Sequence, residues 1–141
     1  MRLALVILAA SSAVVGLWAQ AFPRSFYDDF PGLGRVWVAV DGPYNEHLVR
    51  DVGGLNLGLA FVAALALVTG SHVAARAAGG AALVYGVPHL AYHTLNTTGF
   101  DALDVAAMLS ALGLAVVAAA AALSARPADG DLGDGAPARS G

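Results

Sequence analysis

The chain contains no cysteine and no lysine, and charged residues of every kind make up only 12% of it. Without cysteine there can be no disulfide, thiol nucleophile, iron–sulfur cluster or thiolate zinc site. A net charge of −3 with no basic run removes the electrostatic footprint that nucleic acid requires, so nucleic acid is not expected as a partner. No polar segment is long enough to enclose a core of its own, which leaves one domain. The basic side chains are all Arg, and Ala and Gly are abundant, a composition that fits a GC-rich bacterial source.

What the chain does have is apolar length. Hydrophobic residues reach 58%, and the mean hydropathy is +0.70. Four apolar stretches run approximately over Leu3–Phe22, Val52–Val68, Val73–Tyr92 and Ala102–Leu123. Each is close to the length of about 20 residues that a helix needs to cross a hydrocarbon core. The expected fold is all-α: an antiparallel four-helix transmembrane bundle over residues 1–125, with helices at about 3–22, 45–68, 73–95 and 101–124. An ordered extracytoplasmic loop is expected between the first two helices, and a disordered tail at 126–141, rich in Pro, Gly, Ala and Asp. The first stretch can also be read as a signal peptide, with Met1-Arg2 as its basic start and Ala19-Gln20-Ala21 as a cleavage site. Its length and the stop at Pro23 favour a span.

Segment 23–50 is the one substantial loop. It opens with aromatics alternating with charges, continues through the β-branched run Arg35–Val40, and turns at Asp41-Gly42-Pro43. Phe26, Tyr27, Phe30, Trp37 and Tyr44 suit the headgroup region, so the loop reads as an interfacial anchor packed over the bundle, with a substrate lid as the alternative. Asn45 is a good N-cap for the second helix; Asp101 and Asp104 suit capping and the dipole of the fourth. Arg2, Arg76 and Arg126 share one side of the bundle, which predicts cytoplasmic termini in a bacterial inner (cytoplasmic) membrane.

The groups able to do chemistry gather at the opposite end. In the third stretch Tyr85, His89, Tyr92, His93 and Asn96 fall within one arc about 100° wide. A polar stripe on a membrane helix should avoid lipid and face the bundle or a water-filled cavity. In the second stretch His47, Asp51, Gly54 and Gly58 share an arc, and Gly54–Gly58 is a GxxxG pattern that permits close helix approach. Asn56 points away from it. The candidate ligand pocket is therefore His47, Asp51, Tyr85, His89, Tyr92, His93, Asp101 and Asp104. Three uses of the histidines are open: interhelical hydrogen bonding, metal binding by His89 and His93 with Asp51 or a helix-four aspartate, and proton or quinone chemistry. The metal reading lacks the glutamate of the H-E-x-x-H motif, because residues 89–93 read His-Leu-Ala-Tyr-His.

Three segments carry a resemblance: Pro-Arg-Ser-Phe-Tyr-Asp-Asp-Phe-Pro-Gly at 23–32, Tyr-Asn-Glu-His-Leu-Val-Arg-Asp-Val-Gly at 44–53, and Tyr-Gly-Val-Pro-His-Leu-Ala-Tyr-His at 85–93. With the first helix before them, they resemble a group of small bacterial four-helix membrane proteins, similar in build to DoxX-like proteins, some of which are subunits of quinone-linked oxidoreductases. The likeness is one of architecture, and no DoxX functional residue maps onto a position here. The expected function is that of a small integral membrane protein, a non-enzymatic accessory or binding protein with no cofactor. Its partners would be the lipid bilayer and either other membrane subunits or a second copy. The alternative is a quinone- or metal-binding subunit of a membrane oxidoreductase.

Overall fold

The computed structural model describes residues 1–126; the expected disordered tail lies outside the described residues apart from Arg126. Four long helices dominate: α1 (Arg2–Ala21), α3 (Glu46–Thr69), α4 (His72–Leu95) and α5 (Ala102–Leu123). Between α1 and α3 lie a short helix, α2 (Pro23–Asp29), and a two-stranded hairpin, β1 (Pro31–Gly32) with β2 (Arg35–Val36). The expected loop thus contains regular structure that apolar patterning did not reveal. Pro23 explains the first break. It cannot continue α1, yet its fixed φ and missing N–H suit the first turn of a new helix, which is where it sits in α2.

The helix starts follow local chemistry. Asn45 caps α3 by accepting from the Leu48 N–H at 3.2 Å, Ser71 caps α4 by accepting from Ala74 at 3.2 Å, and Asp101 caps α5 by accepting from Asp104 at 2.7 Å. Gly70 ends α3 in the left-handed conformation at φ 65°, which glycine adopts without steric cost.

Three of the helices are long and apolar enough to cross a membrane: Arg2–Ala21, Glu46–Thr69 and Ala102–Leu123. α4 is as long as α3 but is not among them, because Arg76, Gly79, Gly80, Gly86, Pro88, His89 and His93 dilute its apolar content.

The main helix contacts are α1 on α3 and α4 on α5, with α3 on α4 and α1 on α5 closing the set. One apolar cluster joins Leu5 and Leu8 of α1, Ala63 and Ala66 of α3, Ala75 and Ala78 of α4, and Ala118, Ala119 and Ala122 of α5. The start of α1 therefore meets the end of α3, the start of α4 and the end of α5. At the other end a second cluster forms around Ala19, Phe26 and Val49, with Trp18, Phe30, Val38 and Tyr44 packed against it.

The closest helix approaches occur at glycine, though not at the expected ones. A Cβ added to Gly16 would meet the backbone N of Leu57 at 2.8 Å, and one added to Gly53 would meet the Gln20 backbone N at 2.7 Å. At Gly79 an added Cβ would collide with the backbones of Ala119 and Leu123. Gly54 and Gly58 have open space beside them. The GxxxG pair does not mediate a contact within the chain; Gly16, Gly53 and Gly79 do. The buried face of α3 is Val49, Gly53, Asn56, Ala60, Ala63 and Ala66, half a turn around from the arc of His47, Asp51, Gly54 and Gly58. Asn56 is the buried polar side chain among the described residues, and its Nδ2 donates to the Val52 carbonyl at 2.9 Å within its own helix.

Candidate functional site: the strap-covered end of the helices

Residues 30–44 form a strap across the end of the helices where α4 stops and α5 starts. Its anchors are polar. Arg35 Nη1 donates to Asp101 Oδ2 at 2.7 Å and lies 3.0 Å from Asp104 Oδ1. The Trp37 indole N–H donates to the same Asp104 oxygen at 2.8 Å. The Asp104 side chain is 14% exposed and that of Asp101 60% exposed, so Asp104 is the inner anchor. Val40 of the strap lies against Gly99 in the α4–α5 link, where an added Cβ would meet its methyl at 2.8 Å. At the far side the Tyr27 hydroxyl donates to the Gly42 carbonyl, and the Arg24 guanidinium stacks 5.0 Å from the Tyr44 ring while pairing with Asp28 at 2.6 Å. Beneath, aromatic edges interlock: Phe30 lies 5.9 Å from Trp18 and 5.9 Å from Trp37, centroid to centroid.

The clasp has an electrostatic consequence. The Asp101 carboxyl is held below its ordinary range, first by the Asp104 backbone N–H and then by the Arg35 guanidinium, both of which favour the charged form.

The eight candidate residues divide into three groups. His47 and Asp51 pair with each other at 3.2 Å, one turn apart on α3, with side chains 88% and 61% exposed. They stand on the outward arc of that helix and do not line its interior. Such an exposed pair within a helix contributes little. Asp101 and Asp104 belong to the strap, as described. Tyr85, His89, Tyr92 and His93 make a ring ladder along α4: centroids are 5.3 Å apart for Tyr85–His89, 4.8 Å for His89–His93 and 5.3 Å for Tyr92–His93. Among the described residues no hydrogen bond or ion pair joins His89 or His93 to a carboxylate, and His93 Nδ1 is buried without a partner.

Among the described residues there is no group of three or more His, Cys, Asp or Glu side chains placed to hold a metal ion. His89 and His93 offer two imidazoles one turn apart; Asp51 does not join them. Two open surface hollows, of about 200 and 270 Å³, lie at the other end of the helices, against Arg76 and Leu123–Arg126 and against Met1–Ile7 and Leu114–Ala121. Neither is lined by any of the eight.

Sequence reasoning missed Arg35 and Trp37 as partners of the α5 aspartates. No local signal links residues 66 and 67 positions apart. The available hint was compositional: Arg35 and Trp37 alternate along an extended run and so reach the same side of it. Arg50 ties α3 to α1, donating to the Gln20 carbonyl and pairing with Glu46 at 2.9 Å.

Comparison with known proteins adds no relative: no protein-family model, no curated protein and no solved structure matches this chain.

Proposed function

We propose that the chain is a small multipass protein of the bacterial inner membrane, a four-helix bundle that serves as a non-enzymatic accessory or binding subunit. Three apolar helices support the membrane half of this reading. The case for α4 as a fourth span is topological. The end of α3, the start of α4 and the end of α5 share one core cluster, so the chain needs α4 to return from the end of α3 to the start of α5. The start of α1 and the end of α5 then lie together on the side carrying Arg2, Arg76 and Arg126, the cytoplasmic side by the distribution of basic residues. The strap lies outside.

The observation that carries the functional half is the commitment of Asp101 and Asp104 to Arg35 and Trp37. These carboxylates hold the strap and are not free to pair with histidine in a proton relay. The Tyr85–His89–Tyr92–His93 ladder remains as a polar face for a ligand or for another membrane subunit. The redox alternative rests on the resemblance to DoxX-like proteins expected from the sequence alone, and in it the same ladder sits against a quinone headgroup.

Purification in mild detergent without chelators separates the two. The accessory reading expects colourless protein, with transition metal and extractable quinone far below one per chain. Near-stoichiometric quinone or metal, lost on His89→Ala with His93→Ala, would replace it with the oxidoreductase-subunit reading.

A further inference from the structure

The hairpin of the strap turns at Gly32-Leu33-Gly34, and all three residues have positive φ, at 95°, 58° and 75°. Glycine occupies that region freely; leucine does not, and Asn or Gly is the ordinary choice there. Leu33 is also fully exposed. For a turn in water, leucine is thus unfavourable on two counts, backbone and solvation.

The position of the turn gives a different environment. A Cβ built on Gly32 would lie 4.0 Å from the Trp18 ring, and Trp18 stands one turn inside the end of α1 at Ala21. The hairpin therefore folds back beside the last turn of a helix apolar enough to span, at the level of an aromatic cluster of the kind that sits among headgroups. The charge that could hold the tip in water is engaged elsewhere, because the Arg35 guanidinium is paired with Asp101 and Asp104. Phe22, at the end of α1 one turn after Trp18, and Val36 of β2 are exposed as well.

We propose that the hairpin tip is a membrane foot: Leu33, with Phe22 and Val36, inserts into the boundary between headgroups and acyl chains of the same bilayer that the helices cross. The inference rests on the membrane reading above and adds a specific lipid contact to it. The tip would fix the depth of the strap, and through Arg35 and Trp37 the position of the α5 start.

The absence of cysteine makes the test clean, since any introduced cysteine is the single labelling site. Leu33→Cys carries a spin label in phosphatidylcholine vesicles, and its collisions with oxygen, which enters lipid, are compared with those of a water-soluble nickel chelate. Asp41→Cys on the same strap serves as the aqueous reference and Phe61→Cys within α3 as the lipid reference. Val36→Cys gives a second reading of the hairpin should Leu33→Cys fail to incorporate. The expected result is an oxygen-to-nickel ratio at 33 several-fold above that at 41 and approaching that at 61. A ratio at 33 equal to that at 41 places the tip in water and overturns the proposal. A label at 33 shielded from both reagents also overturns it, because the tip is then covered by protein. If the label at 61 is itself water-like, the membrane reading fails and not the foot alone.

Discussion

Replacing Gly79 by leucine is expected to abolish the native packing of α4 on α5. There is no side chain opposite that could yield: an added Cβ at Gly79 runs into the backbones of Ala119 and Leu123, and the remaining leucine atoms only add to the clash. Overpacking that flexible side chains can absorb costs about 1–3 kcal/mol. Here two helix axes must separate, and with them the contacts of Ala75, Ala78, Ala118, Ala119 and Ala122. Gly53→Leu should act in the same way on α1 and α3, where the obstacle is the backbone at Ala19 and Gln20. Both variants should lose the cooperative thermal transition in detergent or aggregate on extraction. Gly54→Ala and Gly58→Ala are the controls. They have open space, and alanine is the better helix former by about 0.5–1 kcal/mol, so their midpoints should hold or rise. Midpoints lowered equally at 54 and 79 would mean that the helix faces are assigned wrongly.

The second large effect is expected at Asp104. Its carboxylate receives both the Trp37 indole and the Arg35 guanidinium, and it is the less exposed of the two strap anchors. A hydrogen bond to a charged group contributes about 1.5–3 kcal/mol, and Asp104→Ala also leaves the Trp37 N–H without its acceptor. Amide hydrogen exchange over residues 35–41 should rise about tenfold or more, since each 1.4 kcal/mol is a factor of ten. Asp101→Ala should have the smaller effect on the strap, because Trp37 and Arg35 keep Asp104. Acid should act late. The folded carboxyl of Asp101 lies below its ordinary range, so its contribution is complete above the unfolded value, about 3.9, and is lost as pH falls through the lowered one. Strap protection, corrected for intrinsic exchange, should be flat between about pH 7 and 5. A strap that opens with a midpoint near 6 would point to histidine and not to this clasp.

Which parts of this were legible in the sequence follows from how far each signal reaches. Asn45 and Asp101 were readable as caps because capping is decided within four residues, and Pro23 as a stop because its ring excludes the helical N–H. The apolar runs gave the long helices for the same local reason. The facing of α3 differs from the one its polar residues suggest. In a chain whose lipid-facing surface is as apolar as its interior, the period groups residues into arcs but does not say which arc is inside. The polar groups of the arc of His47, Asp51, Gly54 and Gly58 point to an inward position, but that arc faces outward. The inward arc is the one rich in small residues, Gly53, Ala60, Ala63 and Ala66, where backbones can approach. The anchoring of the strap is not legible in the sequence, because Arg35 and Asp101 lie 66 positions apart with α3 and α4 between them.

The central claim is that α3 and α4 each carry the chain across a membrane. It is tested most directly by labelling single cysteines with a membrane-impermeant maleimide, before and after permeabilising cells, at Thr69→Cys, Asp41→Cys and Thr98→Cys. The account predicts that 41 and 98 react in intact cells, that 69 reacts only after permeabilisation, and that all three react equally in detergent. Reaction of 69 together with 41 in intact cells would show that α3 does not cross. Reaction of 98 together with 69, only after permeabilisation, would reduce the spans to three and contradict the four-helix bundle.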